Sequence, residues 1–114
     1  MVTRIKADSV SIDANAVEAT VLELTPPTGK QYKVLELALQ AAGAGYFRIY
    51  LNNDKICGPL DKDALAIDPR RILVDWVLNP GDVLKIVFTD TSGAANTGRY
   101  LIVYEETVTG GRAI

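Results

Sequence analysis

The sequence predicts an all-β fold: a single-domain antiparallel β-sandwich of about eight strands, in jelly-roll order, with an immunoglobulin-like sandwich as the alternative. Three observations predict it. Apolar runs of strand length recur along the chain, and turn residues separate them about every eight to twelve positions. Residues 72–88 place two such runs around Asn79-Pro80-Gly81-Asp82, where proline presets the second turn position and glycine supplies the positive φ that a type II turn needs next; this reads as a β-hairpin. One long connection, residues 58–70, lacks the period of two, as expected of a crossover between sheets, and that suits a jelly roll better than a meander.

The elements follow in order. Residues 2–13 alternate loosely through Val2, Ile5, Val10 and Ile12, enough for one or two short strands. Val17, Ala19, Val21, Leu22 and Leu24 form the next strand, stopped by Thr25-Pro26-Pro27-Thr28-Gly29 because proline has no N–H for a ladder. In residues 32–41, Leu35, Leu37, Leu39 and Ala41 share a face at period two. This run is rich in Leu and Ala, as helices are, but its strand neighbours and flanking turn signals favour strand. After Ala42-Gly43-Ala44-Gly45 comes a strand over 46–51, with Phe47, Ile49 and Leu51 on one side and Tyr46, Arg48 and Tyr50 on the other. Asn52-Asn53-Asp54 is a turn, and Lys55-Ile56-Cys57 returns as a short strand. Within the crossover, Asp61 is placed to cap one helical turn over 62–66, ended by Asp68-Pro69. Residues 90–98 read as a polar loop. Residues 99–106 are the last long strand, with Tyr100, Ile102 and Tyr104 on one face and Leu101 and Val103 on the other. The sandwich is expected to span residues 1–108, with 109–114 as a flexible tail.

Composition sets the limits on function. The chain has 114 residues, 48% apolar and 23% charged, which is globular and enough for one core. Net charge is −2, the pI is near 5.0, and Arg70-Arg71 is the only adjacent pair of cations. Neither nucleic acid nor an anionic membrane surface is therefore expected as a partner. No apolar h-region opens the chain and no run has the length of a membrane span, so synthesis in a cytoplasm without a signal peptide is expected. There is no histidine and one cysteine, Cys57. That removes His-dependent nucleophile systems, His-ligated zinc and thiolate clusters, and leaves Cys57 as a small apolar residue for the core.

Carboxylate chemistry remains. Glu18, Glu23, Glu36, Asp75, Glu105 and Glu106 fall mostly at outward strand positions, where solvation explains them. Asp75 lies beside Trp76 but opposite the face of Ile72, Val74 and Trp76, so exposure is expected. Asp54, Asp61, Asp63 and Asp68 gather hard oxygen ligands, yet their spacing is not that of a calcium loop. Gly43-Ala44-Gly45 is half a nucleotide-binding fingerprint, with Arg48 standing at the third glycine and no helix after it. No catalytic residue, metal or cofactor is expected, and the chain is not expected to be an enzyme.

The candidate binding residues are aromatic: Tyr46, Arg48 and Tyr50 on one strand, Tyr100, Ile102 and Tyr104 on another. Tyrosine and arginine bury much area at interfaces at small entropic cost, and planar rings on a sheet also stack sugars. Against both stands the ordinary arrangement of a ring in the core with its hydroxyl at the surface. Several strands are also apolar on consecutive residues, as at Val34-Leu35, Tyr46-Phe47, Leu73-Val74, Ile86-Val87-Phe88 and Leu101-Ile102-Val103. An apolar second face needs cover, and copies of the same chain in a symmetric oligomer supply it most simply.

The stretch Leu78-Asn79-Pro80-Gly81-Asp82-Val83-Leu84-Lys85-Ile86-Val87-Phe88, the Ser/Gly/Ala/Asn loop after it, and Arg99-Tyr100-Leu101-Ile102-Val103-Tyr104-Glu105-Glu106 resemble the closing strands of small jelly-roll virion proteins of phages and archaeal viruses, such as capsid-decorating proteins and fibre heads. The resemblance covers the last third of the chain and implies a structural, non-enzymatic subunit, associated with itself and with other structural proteins of a particle. A carbohydrate-binding module using the surface tyrosines is the alternative.

Overall fold

The computed structural model describes residues 2–61 and 72–108, apart from the side chains at 57–59, 61, 72 and 73. Among the described residues there are eight strands: β1 (Val2–Ile12), β2 (Ala19–Leu24), β3 (Lys30–Ala41), β4 (Gly45–Leu51), β5 (Asp54–Asp61), β6 (Ile72–Leu78), β7 (Leu84–Asp90) and β8 (Asn96–Val108). They form two four-stranded antiparallel sheets. Sheet A has the order β1-β8-β3-β6 and sheet B the order β2-β7-β4-β5. The pairs β4–β5, β3–β6, β2–β7 and β1–β8 are nested one inside the next, as in an antiparallel ribbon folded across two layers. That is the strand order of a jelly roll, not of the immunoglobulin alternative.

The order corrects one sequence reading. Asn79-Pro80-Gly81-Asp82 does form its turn, with Gly81 at φ 89° and Asp82 N–H donating to the Asn79 carbonyl at 2.9 Å. The strands it joins do not pair: β6 belongs to sheet A and β7 to sheet B. The turn carries the chain across the sandwich. The one connection that stays within a sheet is Asn52-Asn53, both at positive φ (52° and 71°), the two-residue type I′ turn of a β4–β5 hairpin in which Leu51 opposes Asp54.

Other boundaries move as well. Residues 2–13 hold one eleven-residue strand. β5 extends to Asp61, beyond its short sequence estimate. The helical turn read at 62–66 and the tail at 109–114 lie outside the described residues. The segment joining β5 to β6 does cross between sheets, as expected, but so does every other connection except the hairpin.

The core lies between the sheets. Val34, Leu37, Leu39, Ile102, Phe47, Ile49, Leu84, Ile86 and Phe88 are all at most 1% exposed, and the Phe47 and Phe88 rings meet at 4.7 Å between centroids. β3 serves this core in two phases. Tyr32 and Val34 point inward, then Leu37, Leu39 and Ala41, because a bulge between Val34 and Glu36 inserts Leu35 against β8. Leu35 is thereby half-buried instead of sharing the core face with Leu37 as its spacing predicts.

Candidate functional site

The two aromatic triplets occupy opposite environments. Tyr100 (6% exposed), Ile102 (0%) and Tyr104 (9%) point into the sandwich, with the Tyr104 and Tyr32 rings 4.7 Å apart. Burial pushes the Tyr100 and Tyr104 hydroxyls above their usual pKa. The expectation of a surface there is corrected: these three belong to the core. Glu106 continues the same face and is not outward. Lys30 lies 3.1 Å and Arg4 3.6 Å from its carboxylate, and the Lys30 hydrogen bond holds Glu106 below its ordinary value. The three charges close this end of the core.

Tyr46, Arg48 and Tyr50 lie on the outer face of sheet B, because Phe47 and Ile49 on the same strand are taken by the core. The Arg48 guanidinium sits 4.6 Å above the Tyr46 ring. It also reaches to 3.7 Å from Glu18, whose carboxylate accepts a hydrogen bond from the Tyr50 hydroxyl. That bond, more than loss of water and the adjacent negative charge, raises the Tyr50 pKa. Glu18 has a left-handed φ of 50° and donates its own N–H to Thr89 Oγ1 at 3.1 Å. Left-handed backbone at a non-glycine residue often accompanies binding sites.

Glu18, Tyr50, Asn53, Lys85 and Val87 together line a hollow of about 160 Å³. Its floor is Val87, 2% exposed although it points away from the core, and set in register between Thr20 and Arg48. The doubled apolar run Ile86-Val87-Phe88 is thus covered here by the chain itself. The sequence reading weighed Glu18 as a carboxylate and set it down as solvated, and it missed Lys85. Glu18 precedes β2 and Tyr50 lies in β4, and only the folded register joins them across β7.

Sheet A presents a different outer surface. Ile5 opposes Val103, Ala7 opposes Leu101, and Leu101 opposes Ala38. Ile5 is 70% exposed and Val77 45%, while Leu35, Leu101 and Val103 are half-buried. This aliphatic stripe runs to the free edge of β1, whose residues from Val2 to Ser9 are all exposed. Asp75 is exposed as expected and pairs with Lys33 at 3.3 Å beside the stripe.

A third cluster is structural. Asp90 and Asn96, buried at 5% and 6% exposure, join three loops at one end of the sandwich. Asp90 accepts from Asn15 N, Ser92 N and Oγ, Gly93 N and Asn96 Nδ2, while Asn96 Oδ1 accepts from Gly43 N at 2.7 Å. Among the described residues no group of three or more carboxylates or cysteines is arranged to hold a metal ion. No protein-family model, curated protein or solved structure matches the chain.

Proposed function

We propose that the protein is a structural subunit, without catalysis of its own, that works by associating with copies of itself on the surface of a particle of the virion type. The observation that carries this reading is the outer face of sheet A. An aliphatic stripe of Ile5, Val103, Ala7 and Leu101, with Leu35 half-buried on the same sheet, meets an edge strand wetted on both sides, and such a surface is stable in water when a neighbour covers it. Jelly rolls serve as capsid domains, which supports the reading by analogy of fold. They also serve as lectins, and the Tyr50–Glu18–Lys85 hollow favours a glycan as the second reading. Its volume of about 160 Å³ is below the ~300–1,000 Å³ of ordinary small-molecule pockets, so self-association ranks first.

The test is solution mass. Light scattering and sedimentation are expected to give an integral multiple of 12.3 kDa that grows with concentration through the micromolar range. A single monomer mass at every concentration up to the millimolar range removes the proposal.

A further inference from the structure

We infer that two copies of the chain join through β1, edge to edge and antiparallel, about a two-fold axis at Ala7, so that two A sheets continue as one eight-stranded sheet. The inference rests on the self-association reading and gives it a surface and a register.

β1 is an edge strand, paired on one side with β8 along its whole length. Half of its peptide groups point to the unpaired side. Which half follows from Thr97, whose C=O accepts from Ala42 N at 3.0 Å on the β3 side, so that the odd-numbered groups of β8 face β3 and the even-numbered ones face the even-numbered residues of β1. Ser9 N–H, turned away from β8, is held by Asp8 Oδ1 at 2.8 Å. The odd-numbered residues Thr3, Ile5, Ala7 and Ser11 therefore offer their N–H and C=O groups outward, and Ser9 its C=O.

The side chains then select the register. On the core-side face β1 carries Arg4, Lys6 and Asp8, opposite Tyr104, Ile102 and Tyr100. With the axis at Ala7, Lys6 faces the second copy's Asp8 and Asp8 faces its Lys6, giving two opposite-charge pairs across the junction. The same axis sets Val2 against Ile12, so all eleven residues of β1 pair. The open odd-numbered groups come into line for about eight main-chain hydrogen bonds, with Ser9 N–H remaining on Asp8. Moving the axis to Lys6 sets lysine against lysine, and moving it to Asp8 sets aspartate against aspartate. An axis between two residues turns the core face of one copy to the outer face of the other. The register of greatest overlap is thus also the register of matched charge. A charge on an edge strand ordinarily guards against pairing, and here the guard carries its own counter-charge two residues along. On the outer face the axis brings Ala7 against Ala7 with Ile5 on either side, merging the two aliphatic stripes.

The experiment is a charge-exchange cycle followed by sedimentation velocity at low salt. The wild-type protein is expected at twice 12.3 kDa. Lys6→Asp and Asp8→Lys are each expected to weaken the dimer about tenfold or more, because both symmetry-related pairs become repulsive. The double exchange K6D/D8K is expected to restore it. Both positions are exposed, so folding by circular dichroism should be unchanged. Amide exchange gives a second readout, with Thr3, Ile5 and Ala7 protected at high concentration and released on dilution. An oligomer insensitive to both single exchanges, or a double exchange no better than either, overturns the β1 junction and leaves self-association through another surface. A wild-type monomer at all concentrations overturns both.

Discussion

Asp90 shows how much of this fold rests on one carboxylate. It stands at the end of β7 at 5% exposure, takes five hydrogen bonds from its own loop, from Asn15 and from Asn96, and ties the β1–β2 and β7–β8 connections together. Those bonds, the Ser92 hydroxyl foremost, hold its carboxyl well below the usual aspartate range. In the unfolded chain the group returns to a pKa of about 3.9. Its folded pKa being the lower, the charged form stabilises the fold fully above that value, and the contribution fades as pH falls below it. Asp90→Asn is therefore expected to lower the melting temperature at neutral pH. The gap between the two proteins should stay constant down to about pH 5 and shrink from about pH 4 to pH 2. Melting curves across that range check it, and a gap that persists or widens in acid contradicts the role assigned to the ionised carboxylate. Neither Asp90 nor Asn96 stood out in the sequence, where both read as loop residues. A short polar side chain in a Ser/Gly/Asn stretch looks the same whether water or the protein satisfies it.

The β4–β5 hairpin allows a sharper comparison between two residues of one type. Asn52 and Asn53 both hold positive φ, 52° and 71°. Asn52 also reaches the β6–β7 turn, accepting from Val83 N at 2.8 Å and donating to Asp82 at 3.0 Å; the Asn79 amide foremost, and then this contact, hold Asp82 below its ordinary pKa. Asn53→Gly should relieve left-handed strain and stabilise the protein by about 1 kcal/mol. Asn52→Gly relieves similar strain but removes both bonds, and is expected to destabilise by about 1 kcal/mol. Urea midpoints decide, and equal shifts of one sign would discard the distinction. Both turns were legible because turn chemistry is local. Which sheet each flanking strand joins was not, since β6 and β7 are apolar on consecutive residues and either face can enter the core. The same ambiguity hid the direction of Tyr100, Ile102 and Tyr104: their alternates, Leu101 and Val103, are as apolar as they are. On β4 the contrast of Tyr46, Arg48 and Tyr50 with Phe47, Ile49 and Leu51 is strong, and there the outward face could be read directly. The bulge at Leu35 had no such signal, because Val34, Leu35 and Leu37 are all apolar and the run reads equally well with or without an extra residue.

At the scale of the whole molecule, the nested order sets the sequence of events in folding. β4 and β5 meet through a two-residue turn, whereas β1 must find β8 from the opposite end of the chain. Loop closure costs about 0.6 kcal/mol for each doubling of length, so the outermost pair starts roughly 2–3 kcal/mol behind the hairpin. Chains dominated by such distant pairings fold in milliseconds to seconds. Refolding here is expected at about 1–100 per second once proline phases are removed by double-jump mixing. The hairpin should be formed at the barrier and β1 should dock after it. The stabilising Asn53→Gly is then expected to appear mainly in the refolding rate. Val10→Ala, which trims a half-buried β1 side chain packed on the core, should appear mainly in the unfolding rate. Stopped-flow chevrons of the two variants read the partition directly. If Val10→Ala slows refolding as much as its equilibrium effect allows, β1 and β8 are paired at the barrier and the nesting does not order the pathway. If it does not, β1 is the last strand to be secured, and its free edge becomes available for a second copy only after the rest of the sandwich is in place.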